Sequence, residues 1–371
     1  MKVGIDIRDL RIAQTGAKTY LSEIAKAWQA LPNAQVVLLD TRFKVYRGNN
    51  KIGKLIEHLR FFWWKQIQLP KLAVKNNCTH LFCTDFFLPY YKTWNGQTLK
   101  TIAVLHDAFF WESPEHYNPI WLQLFHWIGV PAAKKANLLI VPTQYAKQQI
   151  LSFEKLDPHK IVVVPEAAKT LPLLTAPETQ LRSLAPELVG RTYFLHVGVL
   201  EKRKNLVTLL EAFALVHKNN PSYLLVLVGN TPVKEKLNDQ PAIDAAIKRL
   251  HLETAVIRLG YLDAANLASI YQLAFAYVFP SLNEGFGLPV LEAFNAGLPV
   301  LCANNSALPE VAGDAALYFN PYDAHELANV MEQLILDTSL QQDLKNKAKN
   351  RLTQFSWNKA AQTIQDALVA L

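Results

Sequence analysis

The chain of 371 residues holds only three cysteines, Cys78, Cys83 and Cys302. An odd count without framework spacing excludes a disulfide scaffold, and Cys78 and Cys83 lack neighbouring ligands for a zinc site. A reducing cytoplasm is the compartment that fits this usage. Long apolar runs are also missing. The most apolar stretch, Pro119 to Ala133, is broken by Gln123 and His126, too short to span a bilayer. The opening MKVGIDIRDL reads as a strand entering a loop, without the apolar stretch of a signal peptide. Asp-x-Asp does not occur, nor does a His/Asp cluster at metal spacing, so neither an obligatory metal nor another cofactor is expected. No internal repeat is visible.

What is present is a hydrophobic half of the chain and only 19% charged residues, the composition of a globular protein long enough for two cores. The net charge of +7 is unevenly placed. Between Thr41 and Lys75 nine basic residues face a single acid, Glu57, a surplus larger than that of the whole chain. A local basic patch is what needs explaining.

Short β-branched and aliphatic runs alternate with helical patterns. Strands are expected at Lys2–Ile7, Gln35–Leu39, Leu81–Thr84, Thr101–Leu105, Leu138–Val141 and Lys160–Val164. A second set follows at Tyr193–Val197, Tyr223–Val228, Val256–Leu259, Ala276–Phe279, Pro299–Cys302 and Ala316–Phe319. Runs this apolar suit parallel strands buried on both faces. The fold class is therefore α/β, with two Rossmann-like doubly wound domains facing a cleft. The expected division is 1–168 with 356–371, a proline-bearing linker at 169–190, and 191–355.

Ligands of open α/β sheets sit beyond the carboxyl ends of the strands. Two motifs lie there. Ser281 to Pro289 follows a strand and opens a helix; Gly285 and Gly287, with Phe286 between them, let backbone amides approach a phosphate at the helix start. Glu284 and Glu292 flank this turn, and carboxylates accept hydrogen bonds from sugar and ribose hydroxyls. The alternative is a tight strand–helix connection shaped by two glycines. The second motif, Gly198 to Asn205, carries Arg203 and Lys204, cations able to face the charge that grows on a departing diphosphate. A solvated basic helix start is the alternative there. His106-Asp107 ends another strand; His196 lies inside one and reads as structural.

Together these clusters resemble the retaining glycosyltransferases of GT-B fold, family 4 type. Glu284-Gly-Phe-Gly-Leu-Pro-Val-Leu-Glu292 matches the family's Glu-x7-Glu signature, and Gly198-Val-Leu-Glu-Lys-Arg-Lys-Asn-Leu206 its strand-end motif. Asp6 with Thr15-Gly16-Ala17 resembles the N-terminal glycine loop, and Phe355-Ser356-Trp357 the start of a closing helix that crosses back to the N-terminal domain. The resemblance implies transfer of a hexose from a GDP- or UDP-sugar to a saccharide or lipid-linked acceptor, with retention of configuration. It implies a diphosphate held by Arg203, Lys204 and the Gly285–Gly287 backbone, donor hydroxyls on Glu284, ribose on Glu292, His106 at the reacting centre and Gly16 near the donor. Two departures stand out: Val199 occupies a position where many members carry arginine, and the N-terminal loop has the single glycine Gly16.

Residues 51–75, basic and aromatic, raise a peripheral membrane contact at the inner face, against the alternative that Phe61, Phe62, Trp63 and Trp64 pack in the first core. Competing functions are a nucleotide-sugar epimerase of similar fold, a non-catalytic nucleotide-sugar binder, and a nucleic-acid binder. No nucleic-acid module accompanies the patch, so no nucleic-acid partner is expected.

Overall fold

A computed structural model describes residues 1–11, 16–43, 45–46, 48, 50–117, 119–232 and 235–371. Fourteen strands are found among them. The first sheet contains β1 (Lys2–Asp6), β2 (Gln35–Leu39), β3 (His80–Cys83), β6 (Lys100–Val104), β7 (Leu138–Val141) and β8 (Ile161–Val163). A two-stranded hairpin, β4 (Thr93–Trp94) with β5 (Gln97–Thr98), stands beside it. The second sheet contains β9 (Thr192–Val197), β10 (Tyr223–Val228), β11 (Val256–Leu259), β12 (Ala276–Phe279), β13 (Val300–Ala303) and β14 (Ala316–Phe319). Strand orders are β2-β1-β3-β6-β7-β8 and β11-β10-β9-β12-β13-β14, all parallel.

Side-chain alternation explains why the first sheet is buried on both faces. Ile102, Val104, Leu138 and Ile140 join one core; Ala103, Leu105, Leu139 and Val141 join the other. The first of these faces is covered by the helix Gly16–Ala30 through Tyr20, Leu21, Ile24 and Trp28. The last helix, Trp357–Val369, covers it too, through Ala360, Ala361, Ile364 and Leu368. Trp28 Nε1 donates to Gln365 Oε1 at 3.2 Å, fixing one helix on the other. Burying Ile364 and Leu368 contributes about 1.5–3 kcal/mol each, which holds the end of the chain on the first sheet.

The chain divides into two compact units, Met1–Glu166 with Ser356–Leu371, and Ala167–Phe355. The stretch expected as a linker carries the helix Pro177–Leu184, which belongs to the second unit. Leu181 is buried, Ser269 Oγ donates to Pro177 O at 2.8 Å, and Gln180 Nε2 donates to Asn266 Oδ1 at 2.6 Å. Its prolines do not break the helix because Pro177 sits in the first turn, where its missing N–H has no intrahelical acceptor.

Each sheet reverses strand order once. The second does so between β9 and β12, so the loops after these two strands adjoin at the place where open α/β sheets bind ligands.

Candidate functional site

Both loops of the second unit are braced before any ligand arrives. Gly198 N donates to Val228 O at 2.9 Å as the chain leaves β9. Gly229, at φ +148°, passes so close that a Cβ there would fall 1.8 Å from Gly198 O, so only glycine fits. Lys202–Lys204 forms a 3-10 turn that ends at Asn205 in the left-handed region, φ +57°. Asn205 Nδ2 donates to Pro280 O and Pro321 O at 3.2 and 2.7 Å, which ties the turn to the end of β12. Leu282 N donates to Arg203 O at 2.9 Å from the opposite loop.

That bracing brings Arg203, Lys204 and Glu284 together. Arg203 Nη1 and Lys204 Nζ both reach Glu284 Oε1 at 2.7 Å, and Ser281 Oγ donates to the same oxygen at 2.6 Å. Arg203 also donates from Nη2 to Glu201 Oε1 and from Nη1 to Asn283 O, each at 2.6 Å. Glu284 is 8% exposed and Lys204 7%. Burial alone raises a carboxyl, but Arg203, Lys204 and the Ser281 hydroxyl outweigh it and hold Glu284 at about 2. Burial pulls the Lys204 ammonium below its ordinary value, Glu284 opposing and Arg203 reinforcing. Arg203 goes the other way: burial is overcome by Glu284 and Glu201. The cluster is therefore two cations sharing one buried anion, with a second carboxylate, Glu201, at its edge.

The turn after Glu284 is fixed from the loop that follows β13. Ser306 Oγ accepts from Glu284 N at 3.2 Å, and Asn305 Nδ2 donates to Leu282 O at 2.7 Å. Gly287, at φ +107°, caps the helix Leu288–Asn295 without a side-chain cap. A Cβ on Gly287 would lie 2.9 Å from Leu308 Cδ2 in addition to the strained backbone. The amides of Phe286 and Gly287 have no acceptor among the described residues. The Phe286 ring itself is buried against Phe355 at 5.9 Å between centroids, so only its backbone can serve a ligand. Glu292, one turn into the helix, is raised above the usual carboxylate range by burial, and Tyr271 Oη donates to its Oε2 at 3.2 Å. His196 is a core residue, its Nδ1 3.0 Å from Val278 O and its value pushed down to about 4 by burial.

In the first unit His106 follows β6. Its Nδ1 lies 3.0 Å from Glu166 Oε1, and the Tyr20 ring meets it edge-on at 4.8 Å. Burial lowers the imidazole, yet the hydrogen bond and charge of Glu166, with Asp107, carry it above its ordinary value. Nε2 is covered and lacks a hydrogen-bond partner among the described residues. Gly16 and Ala17 of the expected glycine loop begin the helix Gly16–Ala30, and Thr15 lies outside the described residues.

The basic, aromatic segment is split between inside and outside. Trp64 and Lys65 are buried, with Lys65 Nζ 2.7 Å from Asp6 Oδ2 and 2.6 Å from Asp85 Oδ2, and Trp64 Nε1 donating to Asp6 Oδ1 at 3.0 Å. Phe61 and Phe62 pack on the same core, so four members of the expected lipid-facing surface point inward. Sequence reasoning missed Ser281, Ser306, Tyr271 and Glu166. Only Glu166 carried a signal: a carboxylate just beyond the end of β8, where site residues gather.

Comparison with known proteins gives two family matches: Glycosyl transferases group 1 over residues 182–351, and Glycosyltransferase Family 4 over residues 15–170. The O-antigen chain mannosyltransferase B of Escherichia coli is 28% identical over 283 residues, covering 76% of this chain and 71% of that protein. The serotype-specific mannosyltransferase WbdA of Escherichia coli is 28% identical over 272 residues, 71% of this chain; the match spans only about a third of that longer protein, 32%. Among solved structures, sucrose-phosphate synthase from Thermosynechococcus elongatus superposes with a TM-score of 0.77 at 17% identity, covering 100% of this chain and 98% of the other. Anabaena HepE in complex with UDP-glucose gives 0.75 at 20%, with full coverage of both. At these identities the structures speak for a shared fold.

Proposed function

The chain belongs to the family 4 glycosyltransferases of GT-B fold, and from that premise we propose that it moves a hexose from a GDP- or UDP-sugar to a saccharide or lipid-linked acceptor. Mannose is the hexose we assign, because the relatives aligned over most of the chain are named mannosyltransferases. The observation that carries the reading is the Arg203–Glu284–Lys204 cluster at the sheet's reversal point, with Glu284 and Lys204 buried.

In this reading the diphosphate rests on the Phe286 and Gly287 amides and shares the two cations with Glu284. A helix start favours an anion, and fixed cations favour the charge that develops on the leaving group. Glu284, ionised, then accepts hydrogen bonds from the transferred sugar, and Glu292 from the ribose. The C1–O bond to phosphate breaks as the acceptor oxygen bonds to C1. The acceptor's proton passes to the departing phosphate on the same face, and configuration is retained. Arg203 and Lys204 supply the positive charge, so no metal is required. His106, oriented by Glu166, is the residue of the first unit that the family resemblance assigns to the donor sugar.

Thermal stabilisation by a panel of nucleoside diphosphates tests the assignment, since a ligand stabilises the fold that binds it. One base should stabilise the protein, and Lys204→Ala should sharply reduce the effect at equal ligand concentration. Stabilisation by none, or an effect indifferent to Lys204, refutes it.

A further inference from the structure

The helix Lys51–Trp63 turns an apolar stripe outward. Ile52, Leu55, Ile56, Leu59 and Trp63 are 43 to 68% exposed. At 3.6 residues per turn these five project within an arc of about 100°. A helix that only packed on the first core would bury its apolar side and show polar residues to water. This one does the reverse with five large residues while Phe61 and Phe62 hold it to the core.

Charge decides what covers the stripe. Arg42, Lys54, Arg60, Lys71 and Lys75 are exposed. The segment's single acid, Glu57, is turned inward: it pairs with buried Arg8 and accepts from Tyr46 N at 2.9 Å. No exposed acid remains among the described residues between 41 and 75. A second copy of this chain meeting the stripe across a two-fold axis would bring the same basic surface against itself. An occupant that is apolar in depth and anionic at its surface matches both features.

We propose that the exposed face of the helix Lys51–Trp63 docks on lipid surfaces rich in acidic headgroups, the stripe entering the acyl boundary and the surrounding bases meeting the headgroups. The inference does not depend on the proposed reaction. It narrows the contact raised for residues 51–75 to this stripe, since Phe61, Phe62, Trp64 and Lys65 serve the core while Trp63 does not.

The test is co-sedimentation of the full chain with vesicles of phosphatidylcholine alone, and of phosphatidylcholine with about one third phosphatidylglycerol. The protein should pellet with the acidic vesicles, less so as salt rises. Leu55→Glu with Leu59→Glu should weaken pelleting by about tenfold or more. Both sites are exposed, so the thermal midpoint and nucleoside-diphosphate binding of the variant should match the parent, which separates this outcome from failure of the proposed reaction. Three results overturn the proposal: no pelleting with acidic vesicles, equal pelleting of parent and variant, or a dimer in light scattering that the two substitutions dissociate.

Discussion

Replacing Glu284 by Gln removes the one anion that buried Lys204 and half-buried Arg203 share, and its consequences can be worked from the cluster. The carboxyl falls from 4.5 to about 2 in the folded chain, so the fold favours its ionised form by about 3 kcal/mol. Breaking a buried pair by removing one partner costs about the same, roughly 3–5 kcal/mol. Glu201 still reaches Arg203, so the lower figure is expected. For a domain of this size that is a fall of about 6–12 °C in the thermal midpoint. The sign with pH follows from linkage. A depressed carboxyl contributes stability above its unfolded value near 4.3, and that contribution is lost as pH falls through the folded value. Calorimetry of parent and Glu284→Gln should therefore show a gap at pH 7 that narrows steadily below about pH 4. Affinity for a nucleoside diphosphate should be kept or improved, because its charge finds two cations released from Glu284. Turnover should drop by about 10²–10³. A variant as stable as the parent at pH 7 would refute the electrostatic account. One that lost nucleoside-diphosphate affinity as fully as Lys204→Ala would refute the placement of the diphosphate.

Further predictions concern neighbours of this cluster and the first unit. Lys204→Ala should weaken nucleoside-diphosphate binding by about ten- to a hundredfold, measured by isothermal titration, because one charge-assisted contact is worth about 1.5–3 kcal/mol. Tyr271→Phe removes the donor to Glu292 Oε2 and should raise the donor KM about threefold to tenfold with kcat nearly unchanged, as expected when a ground-state contact is loosened. Glu166→Gln should lower the titration midpoint of His106, followed by its ring proton resonances. The raised imidazole contributes stability that is present below about 6.5 and lost as pH rises through the folded value. The variant should therefore lose less stability than the parent across that upper range.

The strands were legible because burial on both faces leaves almost no freedom in composition. Leu138-Leu-Ile-Val141 serves two cores at once and can only be apolar. Position along the chain then located Arg203, Lys204 and Glu284, since loops after strands are where such sheets expose side chains. What position could not give was the company they keep. Ser281 and Ser306 are ordinary loop residues until the backbone of Arg203 and the loop after β13 are folded beside them. The short hairpin Thr93–Thr98 buries too little to leave a pattern, and the helix Pro177–Leu184 is anchored by Leu181 and by partners some 90 residues away, beyond any local window.

The helix Lys51–Trp63 shows a different limit. Its apolar residues occupy two faces, so periodicity marks a helix without saying which face turns inward. Clustering of aromatics and cations drew attention to residues 51–75, yet within it Phe61, Phe62, Trp64 and Lys65 close the core over Asp6 and Asp85. A buried lysine is tolerated there only because two carboxylates meet it, and those carboxylates end β1 and follow β3, neighbours in space at the first sheet's own reversal point. The ion cluster therefore anchors the helix from inside, and that anchoring is what leaves Ile52, Leu55, Ile56, Leu59 and Trp63 facing outward.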